Sequence, residues 1–350
     1  MSDFTEVPIV ELAAGRGDDG DRRVLADRLR SICHEIGFVV VTDHGVDPST
    51  IGDVFALMDA FFSLPPADKA LIDKARSPHF RGWEAVGAEQ TNNRPDIREQ
   101  IDLWSEWPEH EGDGPDYLRL LGPNQWMPED LLPGGRRVMG RWFDQLGALA
   151  DDLLGLLSLG LGLPEDHLVT YFGNRPMSLT KLINYPPTPP GQAGVNAHHD
   201  TGFLTLLATG DVPGLQVRNP AGRWVDVPPH PGGLVVNLGE LLQAMTGNYF
   251  VATPHRVIAA ERRRSAAYFH GPSLDARLDP LPLDGSFAAA VAASERHRGA
   301  GFMAQRNETD SGVADMASTQ RPDTYGQQLW NYFARSYPEL MERHYPGASA

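Results

Sequence analysis

Three short stretches of the 350-residue sequence hold side chains whose types and spacing could do chemistry. The first is AHHD, which gives His198-x-Asp200. In a strand, residues two apart project from one face, so His198 and Asp200 point one way and His199 the other. An imidazole and a carboxylate placed so can grip one ion from one side. With 12 histidines in the chain, an H-x-D triplet arises about once by chance, and the pattern alone carries little. The second stretch is TPHRV, where His255 opens another apparent strand. A further imidazole from a neighbouring strand completes two histidines and one carboxylate, a facial set that leaves positions open on a ferrous ion. The bland alternative is a strand-end histidine bonded to backbone. The third is Arg263-x-Ser265 in ERRRSAAYFH. Period two puts Arg263, Ser265, Ala267 and Phe269 on one face, and a guanidinium beside a hydroxyl suits a carboxylate. Arg262 and Arg264 read as a solvated edge.

These residues need a scaffold of short strands, and the sequence from Ser178 supplies one. Runs such as LTKLINY, FLTLLAT, GLQVRN, RWVDVPP, GGLVVNL, HRVIAA and SAAYFH follow one another with Pro and Gly between them. That texture predicts an antiparallel barrel or jelly roll. Upstream, Val7–Ala13 and Phe38–Val41 read as strands. Asp21–Ile36 reads as a helix with Leu25, Leu29, Ile32 and Ile36 on one side and Gly37 as its stop. Residues 49–64 read as a second helix, ended by Pro65 and Pro66. Arg136–Leu163 is the clearest helix, with Trp142, Leu146, Leu149, Leu153 and Leu156 in one apolar stripe. Residues 77–135 give no clear elements, and a helical tail is expected over Thr324–Tyr345. The fold class is α+β: a β core with surrounding helices, in one compact unit. Its parts are an N-terminal mixed region 1–120, a linking helical region 121–175, the core 176–278 and a helical C-terminal segment 279–350.

Composition narrows the function. At 41% hydrophobic and 22% charged residues the chain can bury a large core, which excludes intrinsic disorder. A formal charge of −16 argues against a nucleic-acid partner. One cysteine, Cys33, rules out an internal disulfide or a thiolate metal cluster and reads as a small buried apolar group. The acidic N-terminus lacks the pattern of a secretory signal, and no apolar stretch is long enough to cross a membrane. A cytoplasmic protein with a small-molecule substrate, and neither nucleic acid nor membrane as partner, is expected. A monomer is the default.

The ordered set H-x-D, H, R-x-S resembles the isopenicillin N synthase-like branch of the non-haem Fe(II), 2-oxoglutarate-dependent oxygenases. INYPP (Ile183–Pro187), DVPGLQV (Asp211–Val217), VVNLGELL (Val235–Leu242) and TPHRV are similar to that family's core motifs. VPIVEL, GFVVVTDHGV and FFSLPPADK resemble its N-terminal part, and TYGQQLWNYFARSYP its closing helix. The resemblance covers about residues 7–340.

It implies a double-stranded β-helix in which His198, Asp200 and His255 bind Fe(II). Arg263 and Ser265 would hold the distal carboxylate of 2-oxoglutarate, with a hydroxyl from Tyr185. Dioxygen is the second cosubstrate and ascorbate a stimulant. The implied chemistry is oxidation of the substrate, most commonly hydroxylation, with release of succinate and CO2. Lys181 shares a face with Ile183 and Tyr185; it either points into the pocket, where a substrate carboxylate would pair it, or snorkels to the surface. Phe269 packs near the oxo-acid or serves the core, and Glu89 and Thr91 fall where the family's N-terminal part reaches over the pocket. With Arg81, these residues suggest a small polar or zwitterionic substrate, such as an amino acid or a biosynthetic intermediate. His44, His34, His110, His230, His297 and His344 read as structural or surface residues.

Three alternatives stay open. An iron oxidase of the same fold could use the R-x-S pair for the substrate's own carboxylate and consume no 2-oxoglutarate. A non-catalytic jelly-roll carrier would not require the ordered motif. A zinc hydrolase could share the ligands, but no general base is evident.

Overall fold

The computed structural model describes residues 3–91, 94–173, 175–299 and 323–347. Its strands are β1 (Ile9–Glu11), β2 (Phe38–Thr42), β3 (Gly82–Glu84), β4 (Gln90–Thr91), β5 (Arg94–Pro95), β6 (Glu99–Trp104), β7 (Leu179–Tyr185), β8 (Val195–His198), β9 (Leu204–Ala208), β10 (Leu215–Arg218), β11 (Trp224–Asp226), β12 (Leu234–Leu238), β13 (His255–Val257) and β14 (Arg263–His270). A large sheet runs β1-β2-β12-β9-β14-β7-β6-β3, and a smaller one runs β11-β10-β13-β8. Pairing is antiparallel except between β1 and β2. Two facing antiparallel sheets form the double-stranded β-helix that the resemblance implied. The large sheet joins β1, β2, β3 and β6 of the N-terminal part to β7, β9, β12 and β14, so the N-terminal part extends the core.

The helices pack on the outer face of that sheet. Asp18 caps the helix Asp19–Glu35 by accepting from Gly20 and Asp21, whose side chain answers as in a capping box. Leu25, Leu29 and Cys33 turn inward, and the helix stops at Gly37, whose φ of +74° suits only glycine. A Cβ there would lie 2.1 Å from the Val251 carbonyl. The helix Gly135–Gly160 buries all five residues of its expected stripe, and Trp142 donates to Thr180 Oγ1 of β7 at 3.0 Å. The expected tail is two helices, Tyr325–Ser336 and Pro338–His344. The break lies at Tyr337, because Pro338 keeps its predecessor out of the helical region. Residues 300–322, inside the C-terminal segment, lie outside the described residues.

Cross-strand register explains how the interior face is laid out. Trp104, Leu179, Phe269, Thr205, Asn237 and Phe38 are successive partners across β6, β7, β14, β9, β12 and β2. Directly paired residues share a face, so these six form one row. The next row holds Asp102, Lys181, Ala267 and Leu207, and beyond it lie Ser265 with Ile183 and then Arg263 with Tyr185. A separate apolar cluster, including Phe38, Tyr185, Val195, Val217 and Val257, fills the space between the sheets.

Candidate active site

β8 and β13 pair so that His198 and His255 are direct cross-strand partners, with ring centroids 4.2 Å apart. Asp200 lies two residues past the end of β8, so strand alternation does not place it. Its Oδ2 accepts from Thr205 Oγ1 at 2.6 Å and Asn237 Nδ2 at 2.7 Å, which leaves Oδ1 turned to the imidazoles. That oxygen lies 3.7 Å from His198 Nε2 and 3.6 Å from His255 Nε2. The Nδ1 atoms face backbone carbonyls, His198 to Asn196 at 2.9 Å and His255 to Thr253 at 3.2 Å. A carbonyl can only accept, so each Nδ1 carries the proton and each Nε2 lone pair is free. One ligand atom from each of the three residues falls within 4.8 Å of the others. Two neutral imidazoles and a carboxylate fit a divalent ion such as Fe(II).

The electrostatics favour a neutral His198 and an ionised Asp200. Burial and, next, the neighbouring His255 push His198 down to about 3. Burial alone would raise the Asp200 carboxyl. His255, His198 and the bonds from Thr205 and Asn237 outweigh it and hold Asp200 below the usual carboxylate range. His199 points elsewhere, as alternation suggested, with Nδ1 3.7 Å from Glu240.

Arg263, Ser265 and Tyr185 meet deeper in the same interior. Arg263 is 1% exposed, its Nη1 lies 3.4 Å from Ser265 Oγ, and Ser265 donates to the Tyr185 hydroxyl at 3.5 Å. The guanidinium sits 5.1 Å from the centre of the Tyr185 ring. Among the described residues no carboxylate lies within ion-pair distance of Arg263, and its Nε has no hydrogen-bond partner. Burial lowers its pKa. A buried cation with an unused donor fits an anionic ligand such as a carboxylate.

A cleft beside the triad is lined by all four expected pocket residues, Lys181, Phe269, Glu89 and Thr91. Lys181 neither snorkels nor awaits a substrate carboxylate. Its Nζ binds Glu89 at 2.9 and 3.1 Å and Asp102 at 3.3 Å. Burial alone would lower its pKa, but Asp102 and Glu89 hold it above the ordinary lysine value. Thr91 donates to Asp96 at 2.6 Å. Arg81 is not in the pocket: it is fully buried and donates to the carbonyls of Gly122, Leu120 and Ser105. Those carbonyls take up the guanidinium that its residue type had suggested for the pocket.

The sequence reading missed Asp96, Arg98, Asp102 and Trp104 on and before β6, and Asn196, Thr205 and Asn237 behind the His-Asp-His cluster. Polar residues alternating in REQIDLW were the available signal for the first group. For the second, isolated polar residues in apolar strands were the only hint.

Residues 7–129 match the family described as non-haem dioxygenase in morphine synthesis N-terminal, and residues 165–272 match the 2OG-Fe(II) oxygenase superfamily. The chain is 34% identical over 307 residues to a 2-oxoglutarate-dependent dioxygenase, frbJ, of Dothideomycetidae sp. (strain 11243), covering 85% of this chain and 82% of the relative. It is 30% identical over 314 residues to homoarginine-6-hydroxylase 2-ODD-233 of Oryza sativa subsp. japonica, covering 84% and 94%. A full-length Neurospora crassa protein, crystallised in complex with alpha-KG and thymine, superposes with a TM-score of 0.71 at 25% identity, covering 81% of this chain and 91% of that one. With the His-Asp-His cluster and the buried arginine on one β-helix, these likenesses establish that the chain belongs to the 2OG-Fe(II) oxygenase superfamily and is a non-haem Fe(II)/2-oxoglutarate-dependent dioxygenase.

Proposed function

We propose that this dioxygenase hydroxylates a small polar molecule, with His198, Asp200 and His255 holding Fe(II) and Arg263, Ser265 and Tyr185 holding the distal carboxylate of 2-oxoglutarate. The observation that carries the assignment is Arg263, a buried cation with no carboxylate partner among the described residues and an unused Nε. When bound, iron and 2-oxoglutarate supply the activation of dioxygen for attack on a C–H bond, with succinate and CO2 as coproducts.

The chain's own residues position and shield. Thr205 and Asn237 fix Asp200 so that one oxygen serves the metal. The carbonyls of Asn196 and Thr253 fix both imidazoles in the tautomer that can ligate. The apolar cluster between the sheets keeps water from the arginine. Phe269, in the row farthest from Arg263 along β14, lines the cleft, so the substrate approaches from the end away from the arginine. Relatives named for homoarginine and solved with thymine act on or bind small polar molecules, which supports that substrate class.

The test is stoichiometry. Substrates found by oxygen-uptake screening should yield one succinate per molecule oxidised. Substrate-dependent oxygen uptake without succinate would refute the 2-oxoglutarate role and favour the oxidase alternative.

A further inference from the structure

The cleft beside the metal cluster is rich in charge, yet every charge that lines it, outside the metal ligand Asp200, is already matched from within. Lys181 lies between Glu89 and Asp102, at 2.9 and 3.3 Å. Arg98 Nη2 lies between Glu89 at 2.7 Å and Asp96 at 3.0 Å. Asp102 also binds Lys74 at 2.7 Å, and Thr91 and Asn196 cover Asp96. A carboxylate entering here meets only cations flanked by two carboxylates. An ammonium meets only carboxylates that already hold a cation. Either ion would have to break a buried pair and strand one of the protein's own charges, which is strongly unfavourable in a low-dielectric site.

Two donors stand outside that closed network. Trp104 Nε1 and Arg98 Nε are buried, have no hydrogen-bond partner among the described residues, and belong to side chains that line this cleft. Trp104 lies in the same interior row as Phe269, and Phe333 of the helix Tyr325–Ser336 packs 5.8 Å from its ring. Tyr332 and Tyr337 bring further rings to the same wall. The unmet demand is therefore for acceptor oxygens, within a setting of flat apolar surfaces and balanced charge.

We propose that the substrate is an uncharged ring compound whose carbonyl, amide or hydroxyl oxygens accept from Trp104 Nε1–H and Arg98 Nε–H. This rests on the dioxygenase reading above and narrows its small polar molecule away from free amino acids. A site with unsatisfied buried donors discriminates strongly for the ligand that satisfies them.

The full-length protein, loaded with Fe(II) and 2-oxoglutarate under argon, is titrated calorimetrically with probe sets that share a skeleton and differ in charge. Indole-3-acetamide, indole-3-acetate and tryptamine form one set; coumarin, coumarin-3-carboxylate and 3-aminomethylcoumarin form another. The uncharged member should bind about 10-fold or more tighter than its charged partners. A charged member binding tightest, or no uncharged probe binding at all, overturns the proposal. Trp104→Phe keeps the ring and removes the donor, and should weaken the best uncharged probe by roughly 5- to 10-fold while leaving 2-oxoglutarate affinity unchanged. Unaltered probe affinity in that variant overturns the role of Trp104. Failure of 2-oxoglutarate itself to bind the Fe(II)-loaded protein defeats the dioxygenase reading, and this one with it.

Discussion

Replacing Arg263 by methionine is expected to stabilise the cofactor-free protein while nearly abolishing its hold on 2-oxoglutarate. The arginine is 1% exposed, its Nε has no partner, and its contacts are Ser265 Oγ at 3.4 Å and the face of Tyr185 at 5.1 Å. An orphaned buried donor costs about 1–3 kcal/mol, and the unpaired charge adds to that. Methionine fills much of the same volume, and the small void it leaves costs about 1 kcal/mol. The net gain is roughly 1–2 kcal/mol, a rise in Tm of roughly 1–3 °C for a chain of this length. Two charge-assisted bonds to a ligand carboxylate are each worth about 1.5–3 kcal/mol, so the Kd for 2-oxoglutarate should rise by roughly 100-fold or more. Differential scanning calorimetry of the metal-free protein reads the first effect. Calorimetric titration of the Fe(II)-loaded protein under argon reads the second. An unchanged 2-oxoglutarate Kd, or a variant that is less stable without ligands, would refute the reasoning that this residue is kept for a ligand at the expense of the fold.

Other outcomes follow from the same geometry. Asn237→Ala removes the 2.7 Å bond to Asp200 Oδ2 and should weaken Fe(II) binding by roughly 10- to 100-fold in competition with a chelator; equal affinity would show that Thr205 alone suffices. Lys181→Met strips one cation from Glu89 and Asp102 and should destabilise the protein by about 3–5 kcal/mol in urea unfolding, and a loss below about 1 kcal/mol would contradict the network. Burial lowers the pKa of His270 despite its 2.9 Å contact with Asp151. Below the ordinary value of about 6.5 the unfolded chain therefore takes up a proton that the folded chain refuses. Stability contributed by neutral His270 is full above that pH and falls as pH drops beneath it. His270→Gln should flatten the decline between about pH 6.5 and 5, and an identical slope would remove His270 as its source.

Strand alternation and apolar stripes are local, which is why much of this molecule could be read early. Phe38–Val41 shows as a continuous apolar run, while the helix bearing Trp142 and Leu146 and the face shared by Arg263, Ser265 and Phe269 follow from periods of 3.6 and 2. The residue types of the His-Asp-His cluster were legible too, since few side chains other than imidazole and carboxylate make an open ferrous site. The segment 77–135 resisted because its strands are short, and Asp96, Arg98 and Asp102 make sense only beside Lys181 and Asn196. Arg81 shows the opposite error, a cation assigned to the pocket by type that the fold spends on backbone carbonyls.

By itself, then, the sequence determined which side chains have the chemistry to ligate a metal and grip a carboxylate, and that short strands would carry them. Tertiary structure alone decided that Asp200, beyond its strand, is turned to the imidazoles by Thr205 and Asn237, and that Lys181 is matched by the protein's own carboxylates. The reason is one of range. Side-chain direction along a strand is set by the next residue, whereas a partner across the sheet is set by register between segments far apart in the chain, which no local pattern encodes.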